Sequence, residues 1–328
     1  MTANATQASV SERVMRLLRN GLMPLLLVSE LLIFSQLSKQ FWTPGNITDL
    51  IVNSADLALL AAGMTLVILL AGIDVSVGPM MGVIAWVVAT TMSAGMNPWM
   101  VVAVALISGV LLGAFNASVI VFGGVAPIIA TLGLGAAYQT LLFILWNSRD
   151  RFGGPVLPIL SSQPVFGIPQ LVIPILLIYA ALAYVLRMRR FGRHIYAVGN
   201  DAVGARLLGV PAGRVTFFTY LLLGALVAVG AMLYVGRVGV IQANSGADMS
   251  MAAIAAVVVG GTSILGGQGG VIRTLGGLLF IAVLQKGIVL AGVPSLWSGA
   301  MVGAAVALAV AVDVVTNRVI TRRQGALG

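Results

Sequence analysis

The sequence predicts an all-α fold, a polytopic transmembrane bundle of about ten helices with both termini on the cytoplasmic side. Three observations carry that reading. Of 328 residues, 59% are hydrophobic and only 8% charged, where a soluble domain has about a quarter of its residues charged. Residues 75–148 contain no Asp, Glu, Lys or Arg, and at about 20 apolar residues per crossing that stretch alone holds roughly three helices. The 40 glycines and 12 prolines suit transmembrane helices whose backbones approach closely. A coiled coil, a disordered chain and a soluble enzyme with one anchor are excluded on the same grounds.

Taken in order, residues 1–21 form a cytoplasmic or interfacial segment. Arg13, Arg16 and Arg19 recur at a spacing of three, so 10–20 reads as a short helix with its charges toward lipid phosphates. It does not read as a cleaved leader: Leu25 to Phe34 is followed by Ser35-Gln36-Leu37-Ser38-Lys39, which lacks a small-x-small cleavage pattern, and many spans follow. Charge punctuation and Gly/Pro breaks then place spans near 22–38, 47–71, 79–94, 98–121, 126–147, 169–187, 214–236, 249–266, 271–290 and 296–315. The membrane domain is therefore 22–315, followed by a tail over 316–328. Two connections are long: an outer loop at 148–168 with several prolines, and an inner, Arg-rich loop at 188–213.

An even number of spans puts both termini on one side. The formal charge of +9 supports the cytoplasm as that side, because Lys and Arg collect in cytoplasmic loops. The basic residues bunch at the N-terminus, in 188–213 and at the C-terminus. Only Lys39, Arg149, Arg151, Arg237 and Lys286 fall outside. The basic runs carry no interleaved aromatics, so no nucleic-acid partner is expected. With no cysteine and one histidine, His194, no metal site, disulfide or thiolate chemistry is expected.

No catalytic residue set is visible. The chain has no G-x-x-x-x-G-K-[ST] phosphate loop, and His194 has no evident nucleophile around it. Polar groups inside apolar spans carry the functional signal instead, because lipid makes them expensive. Asp49, Asp248 and Asp313 lie near span ends, where water or a helix terminus can satisfy them. Glu30 is mid-span and faces either another helix or a cavity. Asp56 with Asn53 one turn earlier puts two polar groups on one face, which favours a bundle interior.

Asp74 and Ser76 lie in Gly72-Ile73-Asp74-Val75-Ser76-Val77-Gly78-Pro79, where a helix breaks and restarts, with Pro79 at a first helical position. They either cap the new helix or line a water-filled path for a polar solute. Asn116, Gln139, Asn147 and Gln285 either bond helix to helix or offer neutral donors and acceptors to a sugar-sized solute. Asn53, Asp56, Asp74, Ser76, Asn116 and Gln139 are the candidates for a translocation path. In the inner loop, Asp201 as N-cap and Gly209 as C-cap bracket a two-turn helix with small residues on one side, suited to docking in a groove on another protein.

Three blocks resemble a known family. Ala62-Gly63-Met64-Thr65-Leu66-Val67-Ile68 leading to Gly72–Gly78 is similar to its G-M-T-L-V-I … G-I-D-[LIV]-S-[VF]-G. Phe191-Gly192-Arg193 through Gly209-Val210 is similar to its cytoplasmic segment with E-A-A-R-L-x-G-[IV]. Ala253–Ser263 with Gly260, Gly261, Thr262 and Ser263, followed by Gly266-Gly267-Gln268-Gly269, matches A-I-A-A-V-V-L-G-G-T-S … G-G-x-G. The family is the permease subunits of bacterial binding-protein-dependent ABC importers for ribose, xylose, arabinose, rhamnose and the furanosyl signal autoinducer-2. Leu284-Gln285-Lys286-Gly287 and Ala291-Gly292-Val293-Pro294 look closer to the autoinducer-2 and rhamnose permeases.

The resemblance implies an inner-membrane permease that moves a sugar or sugar-like solute by alternating access. It implies a second permease chain, identical or not, two cytoplasmic P-loop ATPase domains that hold ATP and magnesium, and a periplasmic solute-binding protein; this chain itself needs no cofactor. It also makes 199–210 a coupling helix seated in the ATPase, with Asn200, Asp201, Ala205, Arg206, Leu207 and Gly209 as coupling residues. One departure stands out: Val203-Gly204-Ala205 replaces E-A-A, so the acidic residue is missing, with Asp201 nearby. The rivals are an ion-coupled secondary transporter working through Asp56, Asp74 or Glu30, and a membrane scaffold.

Overall fold

The computed structural model describes residues 23–294, apart from 162, 163 and 166, and scattered residues between 297 and 311. The expected interfacial helix at 10–20, Asp313 and the tail at 316–328 lie outside the described residues. The first helix is α1 (Met23–Leu37). It is followed by α2 (Pro44–Asn53), α3 (Ala55–Leu69), α4 (Val77–Ser93), α5 (Pro98–Val121) and α6 (Pro127–Trp146). After the outer loop come α7 (Val172–Met188), α8 (Arg190–Asn200), α9 (Ala202–Leu207), α10 (Ala212–Val238), α11 (Met249–Val259) and α12 (Val271–Leu290). Residues 299–305 are helical again.

Among the described residues, four helices, α5, α6, α10 and α12, are long and apolar enough to cross a membrane, or six spans if each bent pair counts as one. The bent pairs are α2 with α3, at 42°, and α7 with α8, at 72°. Helices α1, α4 and α11 are apolar but shorter. The expected span at 47–71 is thus two helices. Ser54 ends the first, its N–H and hydroxyl both turned back onto the carbonyl of Leu50.

A larger departure concerns 249–266. Helix α11 stops at Val259, and 260–270 is a glycine-rich loop. Helix α4 also starts at Val77, two residues before Pro79, so that proline is not the first helical residue.

Helix α3 is buried along its whole length, as its apolar residues on every side require. It packs between α10, α11 and α12. Helix α5 lies along α10 with Gly109 against the Gly224 backbone and Gly113 against that of Tyr220, the small-residue contact that lets membrane helices close without side chains between them. The outer loop adds two short antiparallel strand pairs to the helical bundle. β1 (Arg151–Phe152) pairs with β4 (Val240–Ile241), with Arg151 opposite Ile241, and β2 (Pro164–Val165) pairs with β3 (Ile168–Pro169). The end carrying 188–213 is the inner end below, and the end carrying 148–168 the outer.

Candidate functional site: a locked helix break, an outer cleft and an inner capped helix

Between α3 and α4 the chain leaves helical geometry at Leu70–Ser76, exposing backbone groups that lipid cannot satisfy. Side chains from three neighbours satisfy them. Asp74 Oδ1 accepts from the Ser76 N–H at 2.8 Å and its hydroxyl at 2.6 Å. Asn116 of α5 donates to Ser76 Oγ at 2.7 Å and to Asp74 Oδ2 at 3.2 Å. Tyr138 of α6 donates to Asn116 Oδ1 at 2.7 Å. Thr131 accepts from the Val75 N–H at 3.1 Å and bonds back to the Ile73 carbonyl. On the other side Ser250 of α11 donates to the Val75 carbonyl at 2.6 Å and accepts from the Gly78 N–H at 2.9 Å.

Asp74, Ser76, Asn116 and Thr131 are fully buried. Asp74 holds the local backbone through Ser76. Ser76, however, makes no side-chain cap for α4, because its hydroxyl points at Asp74. Three of the six path candidates thus form one connected lock across α4, α5 and α6. Tyr138 and Ser250, which complete it, were missed in the sequence: Ser250 is a single polar residue in an apolar helix, Tyr138 stands beside the more polar Gln139, and nothing nearby marks the partner of either.

Two other candidates meet at the outer end. Asp56, fully buried, receives Arg237 of α10 on Oδ2 at 2.5 and 3.2 Å, and Arg237 also reaches Asn53 Oδ1 at 3.3 Å. Tyr234 lies under the same guanidinium at 5.5 Å. The shared face expected for Asn53 and Asp56 is therefore set by Arg237, although Ser54 separates them into two helices. Gln139 bonds the Ala243 carbonyl through Nε2 and leaves Oε1 buried and unpartnered. Asp49 pairs with Lys286 at 3.3 Å. Glu30 is buried, with both carboxylate oxygens unpartnered.

Beside Asp56 a cleft of about 730 Å³ opens at the outer end, with Asn53, Tyr234, Gln242, Asn244, Asp248 and Gln285 among its lining residues. Its polar groups are mainly amides, with carboxylates from Asp150 and Asp248. Among the described residues, no Arg or Lys lines it.

At the inner end, α8 runs as an amphipathic helix with Gly192, Ile195, Val198 and Gly199 buried. Gly199 sits directly on the Leu69 carbonyl that ends α3, leaving no room for a Cβ. The same carbonyl accepts from the Gly267 N–H at 3.0 Å, and Tyr196 donates to the Gly269 carbonyl at 3.0 Å. Within the glycine-rich loop, Thr262 Oγ1 accepts from the Gly270 N–H at 3.3 Å, and Gly260 lies against the backbone of Arg273. The block from Gly260 to Gly267 therefore ties α8 to the ends of α3, α11 and α12.

Helix α9 follows with the N-cap the sequence predicts, while its C-cap is Leu208, one residue before Gly209. Asp201 Oδ1 accepts from the Val203 N–H at 3.0 Å. Gly209 has φ 82°, a left-handed turn that closes a helix best when no Cβ is present. The outward face differs from expectation. Ala205 points inward, while Leu207 and Leu208 are 84% and 87% exposed, beside the exposed Ala202, Val203 and Arg206.

Apolar helices of spanning length around a buried polar break define a multi-pass membrane protein. Residues 46–310 match the family described as branched-chain amino acid transport system / permease component. The probable ABC transporter permease protein y4mJ of Sinorhizobium fredii is 33% identical over 274 residues, 82% of this chain and 81% of the relative. The ribose import permease protein RbsC of Escherichia coli K12 is 33% identical over 291 residues, 86% of this chain and 89% of the relative. The autoinducer 2 import system permease protein LsrC of Photorhabdus laumondii is 31% identical over 294 residues, 88% of each. No solved structure matches. The chain belongs to this family of sugar-type ABC importer permeases, whose matched members are transport subunits.

Proposed function

We propose that this chain is the inner-membrane permease of a binding-protein-dependent ABC importer for a sugar or sugar-like solute of the pentose, deoxyhexose (rhamnose included) or autoinducer-2 class. It pairs with a second permease chain and crosses the membrane about ten times, with both termini in the cytoplasm. A periplasmic binding protein delivers the solute to the cleft around Asn53, Asn244 and Gln285. Two cytoplasmic ATPase domains, which hold ATP and magnesium, seat α9. Their closure moves α8 and α9, and through Gly199 and Gly267 shifts the ends of α3 and α12, biasing the bundle between two packings.

The observation that carries this reading is the capped α9 with Leu207 and Leu208 bare, following α8, which is clamped to the end of α3 and to the glycine-rich loop. The amide-rich cleft supports a neutral hydroxylated cargo. An amino acid would require a cation for its carboxylate, and Arg237 is already engaged by Asp56. The ion-coupled alternative needs a carboxylate free to exchange: Asp56 and Asp74 are each held by three hydrogen bonds, which leaves Glu30, with both oxygens unpartnered, as its carrier.

The test is affinity capture of the tagged chain from its native membrane in mild detergent, compared with Gly209→Trp. A P-loop ATPase recovered with the wild type and depleted in the variant is the expected result. Solute accumulation by the purified chain alone under a proton gradient overturns the reading.

A further inference from the structure

A second cavity, of about 250 Å³, lies at the inner end between α9 and the helix break. Its walls include Gly72, Val198, Arg206, Thr216 and Tyr220. Tyr220 is 1% exposed, and its hydroxyl has no hydrogen-bond partner. An isolated buried hydroxyl is costly unless something bonds it, and the described residues offer it nothing. The hydroxyl lies beside Gly72, within 3.4 Å of where a Cβ on that residue would stand, and so just below the Asp74 lock.

The other polar groups at the walls are the Thr216 hydroxyl and the guanidinium of Arg206, whose Nε is committed to the Ala202 carbonyl at 3.1 Å. The remaining Arg206 nitrogens are donors only. Two hydroxyls and a guanidinium edge suit a small neutral molecule bearing several hydroxyls, which both donates and accepts. The volume falls below the 300–1,000 Å³ typical of sites for drug-sized ligands, so the occupant is small.

We infer that this inner cavity is a binding site for a small neutral polyhydroxylated molecule arriving from the α9 side, held by Tyr220, Thr216 and Arg206. The inference extends the reading of the chain as a sugar permease. On that reading the occupant is the cargo after release, and it binds between the coupling helix and the break that the helix must move. Occupancy then opposes that movement, so accumulated solute slows further import.

The test titrates the purified full-length chain with D-ribose, L-rhamnose and L-arabinose and follows its thermal unfolding midpoint. A saturable rise with at least one sugar is expected, with the half-saturating concentration raised roughly tenfold in Tyr220→Phe and in Thr216→Val, about one hydrogen bond each. The sugar-free midpoint of each variant reports whether it is folded. No saturable rise with any of the three overturns the site, as does an unchanged titration in folded variants or a rise lost in Gln285→Ala instead, which would put the sugar in the outer cleft. Binding to the chain alone needs no ATPase. Failure of the importer reading, judged by ATPase capture, is therefore distinguishable from failure of the site.

Discussion

Arg237 and Asp56 meet across 181 positions of sequence, the guanidinium placing two donors on the single oxygen Oδ2. The carboxylate is fully buried and the arginine side chain 20% exposed. Asp56 also accepts from its neighbour Leu57 N–H at 2.9 Å on the other oxygen. Removing one charge leaves the other buried and uncompensated, which costs more than the pair gains by forming.

Arg237→Ala is therefore expected to lower stability by about 3–5 kcal/mol, while Asp56→Asn with Arg237→Gln recovers much of the loss. Fluorescence-detected size exclusion after a heating series reads both. Equal damage from the single and double changes would show that the ion pair is not what holds α3 to α10.

The Asp74 lock makes a graded prediction. Tyr138→Phe removes one end of the chain of hydrogen bonds and should cost about 1 kcal/mol. Asn116→Leu strips partners from Asp74, Ser76 and Tyr138 together, and should cost about 3 kcal/mol or more in the same heating assay. If the two variants melt alike, the lock is not a connected unit.

How much of this was legible in the sequence follows from range. Asp201 and Gly209 could be read because a helix cap is decided by residues two or three apart. The break at Asp74 could be read because glycines and a carboxylate interrupt an apolar run. Arg237 could not be paired with Asp56 in advance, since nothing local encodes a contact between the start of α3 and the end of α10.

The end of α11 was misread for another reason. Gly261, Gly266 and Gly267 take positive φ inside a segment as apolar as a span, and hydropathy does not register backbone conformation. On α9 the sequence did not tell which small residue packs inward: Ala205 is buried, whereas Ala202 is exposed.

Gly199 offers a test of the clamp between α8 and α3. A methyl group there must displace the Leu69 carbonyl, and with it the Gly267 N–H. Gly199→Ala should preserve membrane insertion yet reduce uptake by at least tenfold, measured in cells against the wild-type chain at matched abundance. Full uptake in that variant would remove the joint from the mechanism.

The aliphatic tip of α9 gives the last prediction. Leu207 and Leu208 make almost no contact within the chain, so replacing them costs the permease itself little, within about 0.5 kcal/mol for exposed positions. Each buries most of its side chain if α9 seats in a partner, and a buried leucine contributes roughly 1.5–3 kcal/mol. Changing both to glutamate removes that contribution and adds two charges that the partner must desolvate. Leu207→Glu with Leu208→Glu should therefore leave the heating profile of the purified chain unchanged while recovery of the ATPase in affinity capture falls at least a hundredfold. Undiminished recovery would mean that the ATPase grips some other part of the inner end, and that the exposed leucines face lipid or solvent instead.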